Sequence, residues 1–277
     1  MHQALRSHPE VSMASVKETE YFNTNLDKGR DWYESKFPHP ESPAVGEISN
    51  NYYLDPVIAK LIRTHNPKMK IVFNLRDPED LLRSMYSFGQ RRGLPFYGHH
   101  EDLEMPIGRV MGSGYQTRAR NSSLAATDTP TLFEASLLSR YIAPYLENFD
   151  SSQVHFFILE RMKDDPSKEL ALLYEFLDVD PSHIPESADE KVNDAIVPKS
   201  QLLAKLATTT AFKLRGIGAD RLLTSLHDSE ALKKVLFRRQ AGESIDLPLN
   251  SVDRETLARE RGRIGDLVPE VASWWPA

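Results

Sequence analysis

The sequence predicts an α/β protein: a mostly parallel sheet flanked by helices, followed by a mainly helical C-terminal third. Three observations carry this. From residue 44 to residue 177, short apolar runs alternate with helical periods, the pattern of strands joined by crossover helices. The run Met69 to Leu75 is almost wholly apolar, as a strand buried on both faces must be. From Ser200 onward the strand-like runs give way to helical periodicity, interrupted around Gly216–Gly218 and Gly242–Leu249. The expected organisation is one domain over residues 1–277, with an α/β core in 1–180 and a mainly helical part in 181–277.

In chain order, residues 1–9 read as the end of a helix stopped by Pro9, and Val11 to Val16 as a short strand running into Lys17-Glu18. Trp32, Tyr33 and Phe37 stand at helical spacing in Gly29 to Phe37, and Pro38 ends that helix. Ala44 to Ile48 is a strand. Pro56 to His65 is amphipathic, with Val57, Ile58, Leu61 and Ile62 on one side. After the strand Met69 to Leu75, Glu79 to Gln90 is helical. Residues 91–130 are irregular, a length at which loops are functional or disordered. Thr131 to Phe149 returns to helix, Val154 to Leu159 is a second strong strand, and Lys168 to Leu177 a further helix.

Composition narrows the function. A formal net charge of −6 argues against broad nucleic-acid or anionic-membrane binding, while leaving room for a local basic pocket. The absence of cysteine excludes disulfides, thiolate catalysis and Cys-ligated zinc, and suits a cytoplasmic setting. No run approaches the ~18 apolar residues of a membrane span. Adjacent histidines in His99-His100-Glu101-Asp102 read as a solvated polar loop rather than a metal site. Arg238-Arg239 and Arg259 to Arg263 read as exposed helix faces, and Trp274-Trp275 as packing for the C-terminus.

The stretch Ile71 to Ser84 is the most informative. A strand ends on Arg76. Asp77 is then placed to cap a helix, Pro78 to be its first residue, and Glu79 and Asp80 to suit the positive end of its dipole. A cation beside a helix N-terminus with bare backbone N–H groups is an expected phosphate site.

Over Ser7 to Leu177 the chain resembles the sulfotransferases that use 3′-phosphoadenosine-5′-phosphosulfate (PAPS), in particular the bacterial and heparan-type branch. The matches are His8-Pro9-Glu10-Val11 followed by Lys17-Glu18-Thr19-Glu20-Tyr21-Phe22; Gly29-Arg30-Asp31-Trp32-Tyr33 with Phe37-Pro38; Leu75-Arg76-Asp77-Pro78 with Ser84; and Phe157 to Met162 with Asp165-Pro166 and Phe176-Leu177. Pro198-Lys199-Ser200 fits more loosely. The resemblance implies a P-loop-like fold, PAPS as co-substrate without a metal, and a small-molecule, lipid or carbohydrate acceptor; a homodimer is left open.

It also implies roles. Glu18 is the general base and Lys17 steadies sulfonyl or phosphate oxygens. Arg76 and Ser84 bind the 3′-phosphate, with Lys199 a third contact. The plainer alternatives are a solvated Glu18 and Lys17 in a charged run, an ion pair of Arg76 with Asp77 or Glu79, and a merely tolerated helix serine at 84. Tyr52 and Tyr53 read as core or pocket wall.

Two departures qualify the resemblance. The Lys-x-Gly-Thr segment that would hold the 5′-phosphosulfate occurs nowhere in the 277 residues. The expected fold therefore lacks the N-terminal strand and phosphate loop, and with them charge stabilisation worth ~10²–10³ in rate per donor. The lysine expected after Gly46-Glu47 is Ile48. Two functions follow: an N-terminally truncated sulfotransferase, or a catalytically inactive relative that binds PAP, the desulfated nucleotide.

Overall fold

The computed structural model describes residues 1–91, 94, 96, 98–111, 130–185, 195–198, 237–240 and 245–275. Two parallel strand pairs form its centre. Strand β1 (Val11–Met13) pairs with β2 (Ala44–Gly46), Val11 opposite Ala44 and Met13 opposite Gly46. Strand β3 (Ile71–Leu75) pairs with β4 (Val154–Ile158), Ile71 opposite Val154 and Leu75 opposite Ile158. Among the described residues no strand joins the two pairs into one continuous sheet. Their side chains nevertheless share a core: Met13, Ala44, Val72 and Phe157 lie in one apolar cluster with Leu170, Leu173 and Tyr174.

Helices cover the strands. α1 (His2–Ser7) and α8 (Pro166–Leu177) pack in that cluster, α1 through Ala4 and Leu5. α2 (Gly29–Glu34) and α3 (Pro56–His65) bury Tyr33, Ile58, Ala59 and Ile62 with Tyr21 and Phe22. Asp55 caps α3 by accepting from the Val57 amide at 3.1 Å, and Pro56 is its first residue. α4 (Pro78–Arg91) starts where the Asp-Pro pair placed it. α5 (Ile107–Met111), α6 (Ser139–Asn148), α7 (Leu159–Asp164) and α9 (Ser251–Leu267) complete the helices of the described residues. Near the C-terminus, α9 contributes Ile264, and Trp275 is buried in the same cluster as Leu75 and Ile158, so the end of the chain packs on the strand core.

Some expectations shift. The strand from Val11 stops at Met13, because the chain then turns away from β2: the Ser15 amide donates to the Lys36 carbonyl at 2.7 Å, and Ser15, Val16 and Lys17 are exposed. Thr131 to Phe149 becomes helical only at Ser139; Glu134 to Ser136 is a single 3₁₀ turn, its entry fixed by the reciprocal Thr131–Glu134 hydrogen bonds. Arg238 and Arg239 are not on a helix face: Phe237–Gln240 is a strand (β6) paired antiparallel with Ala195–Pro198 (β5), so the ladder overrides the local pattern. Lys199 and the Gly216–Gly218 break lie outside the described residues.

Candidate functional site

Two groups of polar side chains gather at the ends of these strands. The first lies past the C-terminal ends of β3 and β4, where ligands of parallel α/β sheets bind. Asp77 Oδ1 accepts from the Glu79 amide at 2.9 Å and the Asp80 amide at 3.2 Å, capping α4. Glu160, on the adjacent α7, accepts from the Asp77 amide at 3.2 Å. Pro78 has no N–H to offer. The expected bare helix N-terminus is therefore closed: its first amides are consumed by Asp77 and Glu160, and anion recognition there falls to side chains.

Arg76 is the side chain best placed for it. The expected competitors, Asp77 and Glu79, are held by other arginines. Arg261 of α9 binds Asp77 at 2.6 and 3.2 Å and reaches Glu79 at 3.5 Å. Arg83 binds Asp80 at 2.5 Å and Glu79 at 2.7 Å. Among the described residues Arg76 retains only a loose pair with Asp80 at 3.7 Å, and its buried Nε has no hydrogen-bond partner. A buried, unsatisfied guanidinium nitrogen is costly and calls for an explanation. Ser84 is one helical turn beyond Asp80 on the same side of α4, half-buried, and its hydroxyl makes no hydrogen bond to another described residue. The pairing also corrects the reading of Arg259 to Arg263: Arg261 faces inward, and its guanidinium pKa is raised, chiefly by the hydrogen bond to Asp77.

The second group surrounds Glu18. Glu18 and Glu20 both have left-handed backbones, φ 66° and 48°, uncommon for residues with a side chain. The Asn50 amide donates to Glu18 Oε1 at 2.7 Å. Burial, and then the Glu20 charge, push the Glu18 carboxyl above the ordinary 4.5, against Lys17 and the Asn50 bond. A carboxyl so shifted is a better proton acceptor. Lys17 is exposed. No described hydrogen bond or ion pair joins Glu18 to Arg76.

Glu47 is the residue that sequence reasoning missed. Directly after β2, its Oε1 accepts from the Tyr33 hydroxyl at 2.9 Å and the Tyr52 hydroxyl at 3.0 Å. Its Oε2 accepts from the Ser49 hydroxyl at 2.8 Å and from the Thr19 hydroxyl. Four donors fill a carboxylate's lone-pair sites, so an acceptor's proton finds no place there. The tyrosine pKa values rise, through burial first and Glu47 second, which keeps both as donors. Tyr52 is thus part of this group while its ring packs against the core. Only the unusual Gly-Glu pair ending a strand hinted at it. Ile48, beside it, packs among apolar side chains.

Other candidates resolve as structure. Asp102 is buried, accepting from the Tyr86 hydroxyl and the Gly98 and His99 amides at 3.0, 2.8 and 3.2 Å. His100 meets Asp253 of α9 at 2.9 Å, so this segment ties the loop to α9 rather than lying free in solvent. Among the described residues no cluster of three or more metal-binding side chains occurs, and no helix is long and apolar enough to cross a membrane.

Comparison with known proteins shows the family and the fold. The family described as the sulfotransferase domain matches residues 5–213. The chain is 24% identical over 185 residues to a bifunctional heparan sulfate N-deacetylase/N-sulfotransferase 1 of Caenorhabditis briggsae, covering 63% of this chain and 20% of that protein. It is 25% identical over 177 residues to the heparan sulfate glucosamine 3-O-sulfotransferase 3A1 of Mus musculus, covering 62% and 40%. The chain thus spans a fifth to two fifths of these relatives' lengths. A crystal structure of a sulfotransferase from Alicyclobacillus acidocaldarius superposes with a TM-score of 0.55 at 20% identity, over 84% of this chain and 92% of that one, in accord with the expected α/β, P-loop-like fold.

Proposed function

The chain belongs to the PAPS-dependent sulfotransferase family, and from that premise we propose that it is a sulfonyl-transfer domain in which Glu18 is the base and Arg76 the 3′-phosphate ligand. The reading treats residues 1–277 as one domain, an α/β core in 1–180 with a mainly helical part in 181–277. The substrates are PAPS and a hydroxyl or amine of a small-molecule, lipid or carbohydrate acceptor. Carbohydrates come first to be tried, since the relatives above are named for heparan sulfate.

Glu18 takes the acceptor's proton. The acceptor oxygen or nitrogen bonds to sulfur as the bond from sulfur to the 5′-phosphate oxygen breaks, and PAP leaves. Such a transfer depends on positioning and charge rather than covalent catalysis. Arg76 orients the nucleotide through bidentate bonds to its 3′-phosphate, Ser84 adds a hydroxyl donor, and Lys17 lies next to the base for the sulfonyl oxygens. In the same scheme Lys199 is a further phosphate contact. The observation that carries the proposal is the state of Arg76: its neighbouring acids are engaged elsewhere and its buried Nε is unpartnered.

The test is transfer of radiolabelled sulfonate from PAPS to a panel of carbohydrate, lipid and small-molecule acceptors, with the Glu18→Gln variant alongside. Transfer by the wild type and its loss in the variant support the proposal; equal transfer by both removes Glu18 from it. A second reading, a PAP-binding protein without turnover, is favoured by Ile48, whose apolar side chain cannot steady developing negative charge. PAP binding without transfer to any acceptor would select it.

A further inference from the structure

The proposed role of Glu18 leaves an elaborate polar group among the described residues unexplained. Glu47 carries a full shell of four hydroxyl donors from four separate positions, Thr19, Tyr33, Ser49 and Tyr52. Packing of α2 alone would explain the bond from Tyr33. It would not explain Thr19, which is buried and lies between the two left-handed residues.

Left-handed backbone costs a residue with a side chain about 1–2 kcal/mol, and it persists only where the surroundings over-determine it. Residues 47 to 52 supply that constraint position by position. Glu47 and the Tyr52 hydroxyl (3.2 Å) engage the Thr19 hydroxyl. The Ser49 hydroxyl accepts from the Glu20 amide at 3.4 Å, and Asn50 holds the Glu18 carboxyl. From the other side Asn25 donates to the Thr19 carbonyl at 2.8 Å. Glu47 is the hub, because Ser49, Tyr52 and Thr19 are themselves oriented by donating to it.

We propose that Glu47 is a positioning residue: through the Thr19 hydroxyl it fixes the Glu18–Glu20 turn and so determines where the Glu18 carboxyl stands. This rests on Glu18 being the base, but it is testable without turnover. Remove the Thr19 donor and the turn relaxes toward ordinary backbone; Glu18 leaves the Asn50 amide and its half-buried setting. The charged groups acting on Glu18 are Glu20 and Lys17 on its own segment, with Glu47 behind Thr19 on the facing loop.

The experiment is carbon-13 NMR titration of glutamate-labelled chain, the Glu18 carboxyl assigned by its loss in Glu18→Gln. In the wild type and in Thr19→Ser, which keeps the hydroxyl, the Glu18 midpoint stands above 4.5. In Thr19→Val and in Glu47→Gln it falls to the ordinary carboxylate value. In transfer assays kcat drops by about tenfold or more in Thr19→Val, as small misplacements of a reacting group do, while PAP affinity is unchanged and reports an intact fold. Thr19→Val is nearly isosteric, so it decides the question if Glu47→Gln does not fold. An unchanged Glu18 midpoint in Thr19→Val overturns the proposal even if sulfonyl transfer is established. The downward shift upholds it even if no acceptor is found.

Discussion

The Arg76 group and the Glu18 group solve the same problem, keeping one charged side chain ready, in opposite ways. Around Arg76 the neighbouring charges are paired off: Arg83 and Arg261 take Asp77, Glu79 and most of Asp80, and one guanidinium is left over. Around Glu18 charges remain, Glu20 and Lys17 on its own segment and Glu47 behind Thr19, but it is hydrogen bonds from hydroxyls and an amide that fix the geometry. In the proposed scheme the first arrangement serves to bind a charged group and the second to aim a proton acceptor. The difference predicts that substitutions in the first group act on nucleotide affinity and those in the second on turnover.

The largest expected effect is Glu18→Gln. Removing a general base costs ~10²–10⁴ in rate, and PAP affinity measured by calorimetry stays at the wild-type value. A parallel loss of affinity would erase the distinction between the groups. The same residue sets a pH dependence. Its carboxyl is raised above 4.5, so transfer falls as pH drops through that raised value, and the acid limb of the rate profile lies above the ordinary carboxylate range. For stability the sign is opposite: a raised carboxyl pKa favours the folded state below the unfolded value and is a burden above the folded one. Glu18→Gln is therefore expected to melt slightly higher at neutral pH while losing turnover.

Next is Arg76→Ala. Hydrogen bonds to charged groups contribute about 1.5–3 kcal/mol, so PAP affinity should weaken by roughly 10- to 150-fold, with little effect on a nucleotide lacking the 3′-phosphate. Arg261→Ala, which touches no nucleotide in this scheme, should weaken PAP binding several-fold, because Asp77 loses its arginine and becomes free to compete for Arg76, while Arg83 still holds Glu79. A double-mutant cycle with Arg76→Ala tests this: near-additive losses would show that Arg261 acts independently. Ser84→Ala is the smallest, about 0.5 kcal/mol, the low end for one neutral hydrogen bond, which is roughly twofold in PAP affinity.

The same contrast explains what the sequence disclosed. Arg76, Asp77 and Pro78 are consecutive, and capping and helix-start chemistry are local, so the strand end and the start of α4 were legible. What frees Arg76 was not, because Arg261 lies 184 positions from Asp77 and shows only a helical charge pattern. Nor was the closed helix N-terminus: Glu160, which takes the Asp77 amide, is 83 residues away. Around Glu18 the bonds from Thr19 to Glu47 and from Asn50 to Glu18 span 28 and 32 residues, across a strand pairing that no periodicity reveals. The resemblance pointed to Glu18 but not to the turn that holds it. Strand β6 was missed because the Phe-Arg-Arg-Gln run carries no alternation of its own and is defined by its partner β5.

The most direct test of the scheme is calorimetric titration with PAP and with adenosine 5′-monophosphate, which lacks the 3′-phosphate, on the wild type and on Arg76→Ala. If Arg76 holds the 3′-phosphate, the wild type binds PAP more tightly than the monophosphate, and the preference disappears in the variant. Equal affinity of the wild type for the two nucleotides, or a preference that survives Arg76→Ala, would contradict it.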